Sequence, residues 1–385
     1  MNINIIEKTL FSILQYATME NNFIMPDENS LINLSSDMFG HFNLKVTSDT
    51  MNLNYKHKKL CFILLDGLGW NIYKKTGINF DNEIKGTSLF PSTTSNVLSS
   101  IFLNKYPGEH GINGYLVYVK ELGAIINILG YTSSASYIRD SMEKAYPVNK
   151  IFNFDSKINQ LNNAGIKTIN IIPAFINNTS FSNLIYGSNN YTDAYSNLFH
   201  SFYALDNDLK KDYDFITYYL PYIDQTAHKL GPYNEYTVEN ARYILTELYK
   251  IIKKHDDYDF IITADHGHIE VDNIIDLSRD NKLNDLTLIP PYGDARSIFF
   301  NYSDELYDYL DNSYNNLLLI KKNDELYKKL FGKIDEKIIK KLPELIGISK
   351  NNDIYHYPLN QRKYEMKGGH SGLLKDEMEI PILKL

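Results

Sequence analysis

Residues 60–70 read LCFILLDGLGW: the apolar run Leu60–Leu65 leads straight into Asp66, Gly67 and Gly69. An unbroken apolar run of strand length, without polar alternation, suits a strand buried on both faces of a parallel sheet. The same construction recurs downstream. Phe215–Leu220 (FITYYL) leads to Asp224 in YIDQTAHKLGP, and Phe260–Thr263 (FIIT) leads to Asp265 in ADHGH. In an open α/β sheet the carboxyl ends of parallel strands face one crevice. Three carboxylates delivered there repel one another unless cations neutralise them. Aspartate also favours ordinary loops and caps, so any one of the three taken alone is an unremarkable turn residue.

Outward from these junctions, Thr168–Ile172, Ser297–Phe300 and Leu317–Ile320 predict further strands. Ser95–Leu103, Val238–Lys254 and Asp304–Leu310 predict helices. The alternation predicts an α/β fold: a central, mainly parallel sheet with helices on both faces, with room for a small cap insertion. No repeat, low-complexity tract or linker divides the chain. A single domain over residues 1–385 is therefore expected, with 1–57 as a helical and loop extension and 270–360 as a cap or the far sheet edge.

Composition narrows the class. The 385 residues are 43% hydrophobic and 22% charged, which are globular proportions. A single cysteine, Cys61, precludes an intrachain disulfide and a Cys-rich zinc module. The net charge is −8 and no basic block stands out, so no nucleic-acid surface is expected. No apolar run approaches the ~18–20 residues of a membrane span. Met1 to Leu14 carries Glu7 and Lys8 and fits an amphipathic helix better than a signal peptide. A cytoplasmic location is the resulting expectation, and no oligomeric state is legible. There is no P-loop and no GxGxxG.

Histidine accompanies two of the aspartates. Asp224 and His228 are spaced i, i+4, one helical turn apart, and Asp265 and His266 are adjacent. Near the C-terminus, glycines flank His370 in GGHSG (Gly368–Gly372), allowing close backbone approach, although such a segment is equally a surface turn. Imidazole and carboxylate without thiolate suit Zn²⁺, with Mn²⁺ or Fe²⁺ as alternatives. In FPSTTSN (Phe90–Asn96), the Ser/Thr cluster after Pro91 reads as a helix start. A hydroxyl there lies beside free N–H groups at the positive end of the helix dipole, as a nucleophile or as a plain N-cap. Tyr115, Tyr222 and Arg296 are candidates to line a substrate slot, although a structural role is the commoner one for each. His268 reads as a loop histidine, with support of the ligands from behind as the alternative, and His110 as ordering the loop after the nucleophile helix.

The ordered set LLDGLGW, FPSTT, YPGEHG, DQTAHKLGP, TADHG and GGHSG, from Asp66 to His370, resembles the alkaline phosphatase superfamily. Within it the chain is most similar to the type I phosphodiesterase/nucleotide pyrophosphatase family. The resemblance implies two divalent ions, one held by Asp224, His228 and His370, the other by Asp66, Thr94, Asp265 and His266. The family's Pro-x-x-Thr register implies Thr94 as nucleophile, with Thr93 as the alternative. The implied reaction cleaves a phosphodiester or pyrophosphate bond of a small phosphate ester or nucleotide through a covalent phospho-threonine.

Three departures stand out. Ser95-Asn96-Val97 follows the nucleophile where the family often has Phe-Pro-Asn, so the family's asparagine contact does not carry over directly and Asn96 is only a candidate substitute. Asn113 comes earlier than the family's second phosphate-binding asparagine. DGLG lacks the arginine that many members carry after DG. The competing readings are a phosphomonoesterase or phosphomutase of the same superfamily and a catalytically silent binding protein.

Overall fold

The computed structural model describes residues 23–188, 190–359 and 365–385. The helix expected over Met1–Leu14 lies outside these residues. The described part of the N-terminal segment contributes a helix, Leu31–His41, that packs on helix Thr94–Leu103.

Seven strands form the central sheet: β1 (Lys59–Leu65), β2 (Glu83–Thr87), β3 (Thr168–Pro173), β4 (Thr192–Tyr195), β5 (Phe215–Leu220), β6 (Tyr258–Thr263) and β7 (Glu379–Lys384). Their spatial order is β2-β7-β6-β1-β5-β3-β4. Only β7 runs against the rest, paired antiparallel with both β2 and β6. The mainly parallel α/β sheet expected from the sequence is thus present. β1 lies at its middle, with every residue from Leu60 to Leu65 buried. Each such side chain contributes about 1.5–3 kcal/mol relative to an exposed one. Parallel register levels the strand ends: Leu65 pairs with Leu220 and Leu64 with Thr263. Asp66, Asp224 and Asp265 therefore leave the sheet on the same edge.

The other expected strands and helices occupy their places, but two strands belong elsewhere. Ser297–Phe300 and Leu317–Lys321 lie in a second, wholly antiparallel seven-stranded sheet. Its order is Leu317–Lys321, Leu345–Ser349, Ser297–Phe300, Tyr292–Gly293, Leu116–Val119, Ala124–Asn127, Thr132–Ser133. The last three strands come from the chain before β3. Leu116–Val119 alternates half-buried and buried positions, the weak signal of a strand with only one face covered. Among the described residues, no helix is long and apolar enough to cross a membrane.

One buried ion pair ties the second sheet to the C-terminal loop. Arg296 donates to both carboxylate oxygens of Glu377, at 2.7 and 2.9 Å, and to the carbonyls of Asn351 and Asp353. Glu377 also accepts from the backbone N–H of Gly372, at 2.7 Å, in the loop that carries His370. Of the two roles open to Arg296 in the sequence, the guanidinium is therefore spent on the structural one. Arg296→Ala leaves Glu377 charged and unpaired in the interior. It is expected to cost about 3–5 kcal/mol of unfolding free energy, read from the denaturant midpoint.

Candidate active site

Helix α1 (Thr94–Leu103) begins at the expected Ser/Thr cluster. Thr93 is its N-cap residue, yet no side chain caps the helix. Thr94 is the first helical residue, so its hydroxyl has no capping role. The Oγ1 atom lies 3.4 Å from His266 Nε2. First-turn N–H groups without a side-chain cap, at the positive end of the dipole, make an anion site.

Helix α2 (Tyr222–Leu230) follows β5 directly, burying Ile223 and Ala227 and turning Asp224 and His228 to one side. His228 Nε2 is 3.0 Å from Asp224 Oδ1. The backbone N–H of Asp224 donates to the carbonyl of Asp66, at 2.9 Å, which fixes the two strand ends together. Asp265 Oδ1 accepts from the N–H groups of Gly67 and His266. Its Oδ2 lies 3.3 Å from His266 Nε2, and Asp66 Oδ1 lies 3.5 Å from the same nitrogen.

His370 arrives by a route the sequence did not reveal. Gly368–Gly369 pairs antiparallel with Ile269–Glu270, just beyond Asp265 and His266. A Cβ on Gly368 would strike the Ala227 carbonyl, so only glycine can approach α2 there. The His370 ring stacks on His266 with centroids 3.7 Å apart, and its Nε2 is 4.0 Å from Asp224 Oδ1. All seven expected ligand positions thus fall in one cluster.

The donor chemistry fits cations. A backbone carbonyl only accepts, so a ring nitrogen bonded to one carries the proton. His228 Nδ1 meets the Gly368 carbonyl at 2.9 Å, His266 Nδ1 the Gly267 carbonyl at 3.1 Å, and His370 Nδ1 the Ser92 carbonyl at 2.8 Å. In the neutral rings each Nε2 therefore turns a lone pair inward, the usual arrangement of metal-binding imidazoles. Facing them, Asp66 Oδ1 and Asp265 Oδ2 are buried without a hydrogen-bond partner. Lone pairs directed at one another in a buried space call for positive charge between them. Asp66-Asp265-His266 and Asp224-His266-His370 each bring their donor atoms within 4.8 Å of one another.

Electrostatics agree. Burial, reinforced by the neighbouring Asp265 and Asp224 charges, holds the Asp66 carboxyl well above the usual carboxylate range. Burial would also raise Asp224, but the His228 and His268 imidazoles outweigh it and hold Asp224 well below. Burial, with the surrounding imidazoles, pushes His370 well below its ordinary value.

The expected substrate contacts fare unevenly. Tyr115 lines a cavity of about 350 Å³ together with Thr93, Thr94, Asp224, His228 and His370. The Asn96 amide donates to the Pro91 carbonyl of its own loop, at 2.8 Å, rather than into that cavity. Asn113 is buried with its Oδ1 unpartnered. Tyr222 packs on Tyr195 and does not border the cavity.

Of two further residues at the site, the sequence offered the first only as a lesser alternative and missed the second. His268 is buried and turned inward, with Nε2 3.1 Å from Asp224 Oδ1. The strict i, i+2 spacing from His266 was its only signal. Asp294, from the loop between strands Tyr292–Gly293 and Ser297–Phe300, borders the cavity and accepts from the Tyr115 N–H at 2.9 Å. Burial pushes its carboxyl up to about 7.

The Type I phosphodiesterase / nucleotide pyrophosphatase family model matches residues 60–372. Murine ectonucleotide pyrophosphatase / phosphodiesterase 5 is similar in structure, with a TM-score of 0.64 at 14% identity, over 84% of this chain and 87% of that one. Its human counterpart is similar over 85% and 87%, at 15% identity and a TM-score of 0.64. Phosphonoacetate hydrolase from Sinorhizobium meliloti 1021 is similar over 89% and 94%, at 14% identity and a TM-score of 0.60. At such identity these likenesses show a shared fold. No curated protein matches the chain.

Proposed function

The chain belongs to the type I phosphodiesterase / nucleotide pyrophosphatase family, and on that premise we propose that it hydrolyses a phosphodiester or nucleotide pyrophosphate bond by way of a phospho-threonine at Thr94. Asp224, His228 and His370 would hold one divalent ion, and Asp66, Thr94, Asp265 and His266 the other. Zn²⁺ suits this imidazole-and-carboxylate set, with Mn²⁺ or Fe²⁺ as alternatives. The observation that carries this reading is the set of inward-turned Nε2 atoms and unpartnered carboxylate oxygens around Thr94 Oγ1. The bound ions would neutralise the phosphate and lower the pKa of the hydroxyl.

The chain's own groups set the geometry. The N-terminus of α1 receives phosphate oxygens on its uncapped N–H groups. Thr94 Oγ1 forms the bond to phosphorus as the bond to the leaving oxygen breaks. Water then cleaves the threonyl ester and regenerates the hydroxyl. The murine neighbour was also solved with AMP, which supports a nucleotide-sized substrate for this chain. The second sheet supplies the outer wall, through Asp294 and Ala295.

Asp294 favours a diester. A dianionic monoester gains from a nearby cation, yet among the described residues the cavity is lined by no lysine or arginine and by this carboxyl instead. The test is hydrolysis of bis-(p-nitrophenyl) phosphate against p-nitrophenyl phosphate at pH 9, on protein of measured metal content. Diester turnover should dominate. Asp294→Asn is expected to raise kcat/KM for the monoester about tenfold, or ~1.4 kcal/mol of relieved repulsion. A wild-type preference for the monoester overturns the diester reading. Metal-free protein inert to both substrates points to a binding role.

A further inference from the structure

Four histidines crowd the ion cluster, and one differs from the rest. His228, His266 and His370 each tie Nδ1 to a backbone carbonyl. His268 does not: its Nδ1 is buried without a partner, while its Nε2 lies 3.1 Å from Asp224 Oδ1. A neutral imidazole has one N–H and one lone pair. His228 Nε2 lies as near the same oxygen, but its proton is committed to the Gly368 carbonyl at Nδ1; with no acceptor at Nδ1, the His268 proton belongs on Nε2. His268 is thus set up as a donor to Asp224, whereas the other three present lone pairs.

The fold makes room for that donor at a cost. A Cβ on Gly67, whose φ is +76°, would come 2.8 Å from His268 Nε2, and one on Gly368 would come 3.3 Å from its Nδ1. The ring also meets His228 edge-on, with centroids 4.8 Å apart. Burying Nδ1 unsatisfied carries the desolvation penalty of a polar group without a partner. A histidine with only a packing role gains nothing from that arrangement, since an apolar side chain fills the space without the penalty.

We infer that His268 is a positioning residue for the ion proposed at Asp224, His228 and His370: its Nε2–H holds Asp224 Oδ1 and thereby aims the carboxylate at the ion. The inference rests on the two-ion reading above. Hydrogen bonds that orient ligating carboxylates typically govern metal affinity by 10–100-fold when removed.

The test is Zn²⁺ affinity by chelator competition, with zinc content and X-ray absorption fine structure, on the full chain. Wild type should load two ions per chain. His268→Phe keeps the ring volume and removes the donor; it should weaken one ion about 10–100-fold and leave the other unchanged. Retention of that second ion shows that the fold survives. His268→Gln restores an N–H at a similar reach, should recover much of the affinity, and remains informative if the phenylalanine variant does not fold. The number of imidazoles around zinc should not change in either variant.

Affinity in both variants equal to wild type overturns the inference. So does the loss of one imidazole per ion, which makes His268 a ligand instead. Wild-type protein that loads no zinc refutes the two-ion reading itself, an outcome distinct from either.

Discussion

Thr94→Ala is expected to lower kcat for a nitrophenyl diester by about 10³-fold or more, ~4 kcal/mol in activation free energy. The proposed covalent step passes through Thr94 Oγ1, which lies 3.4 Å from His266 Nε2. The loss should come without unfolding. Thr94 is the first residue of α1 rather than its cap, and no side chain accepts from that first turn, so its hydroxyl contributes little to helix stability. The melting free energy should stay within about 0.5 kcal/mol of wild type. Thr93→Ala is the comparison, because Thr93 borders the same cavity as the N-cap residue, whereas Thr94 is the hydroxyl within reach of His266. Near-normal turnover by the Thr94 variant, or an equal loss in the Thr93 variant, would refute the assignment.

Asp66→Asn should separate function from stability with opposite signs. In the metal-free protein, burial and the nearby Asp265 and Asp224 charges raise the Asp66 pKa. The folded state therefore binds this proton more tightly than the unfolded state does. Its contribution to stability is complete below the unfolded value, near pH 4, and is lost as pH rises through the raised folded value. Metal-free wild type should lose stability over that rise, and Asp66→Asn should not. The asparagine can still accept from the Tyr219 hydroxyl, which bonds the carboxylate in the wild type. With zinc present at a thousandfold excess over Kd, wild type should gain about 4 kcal/mol. The variant should forfeit the gain from this ion and nearly all turnover. Thermal melts at pH 5 and 8, with zinc or with chelator, read all of these effects. A metal-free variant less stable than metal-free wild type at pH 8 would contradict the repulsion argument.

The fold was legible where a strand declared itself locally. LCFILL, FITYYL and FIIT are apolar enough to demand burial on both faces, and each runs within a few residues to an aspartate. The second sheet was not legible. Its strands are short and drawn from segments on either side of β3, and Leu116–Val119 has only one face covered, so no single stretch states their pairing. Ser297–Phe300 looked like another member of the parallel sheet because a four-residue apolar run carries no direction. Arg296 stood open between a slot-lining and a structural role for a similar reason: composition shows a guanidinium, but only packing shows that Glu377 already holds it.

The chain's residue order determined the donor chemistry and one edge of the site. A strand that ends in aspartate must release that side chain at the sheet's carboxyl edge, whatever else the chain does. The docking of His370 was decided in three dimensions, because Gly368–Gly369 must find Ile269–Glu270 across about a hundred residues. It can do so only where two missing Cβ atoms let backbones meet α2 and its neighbours. The roles of His268 and Asp294 belong to the same class. Each depends on which nitrogen or oxygen finds a partner in a buried space, a property of the assembled interior that no local stretch of sequence contains.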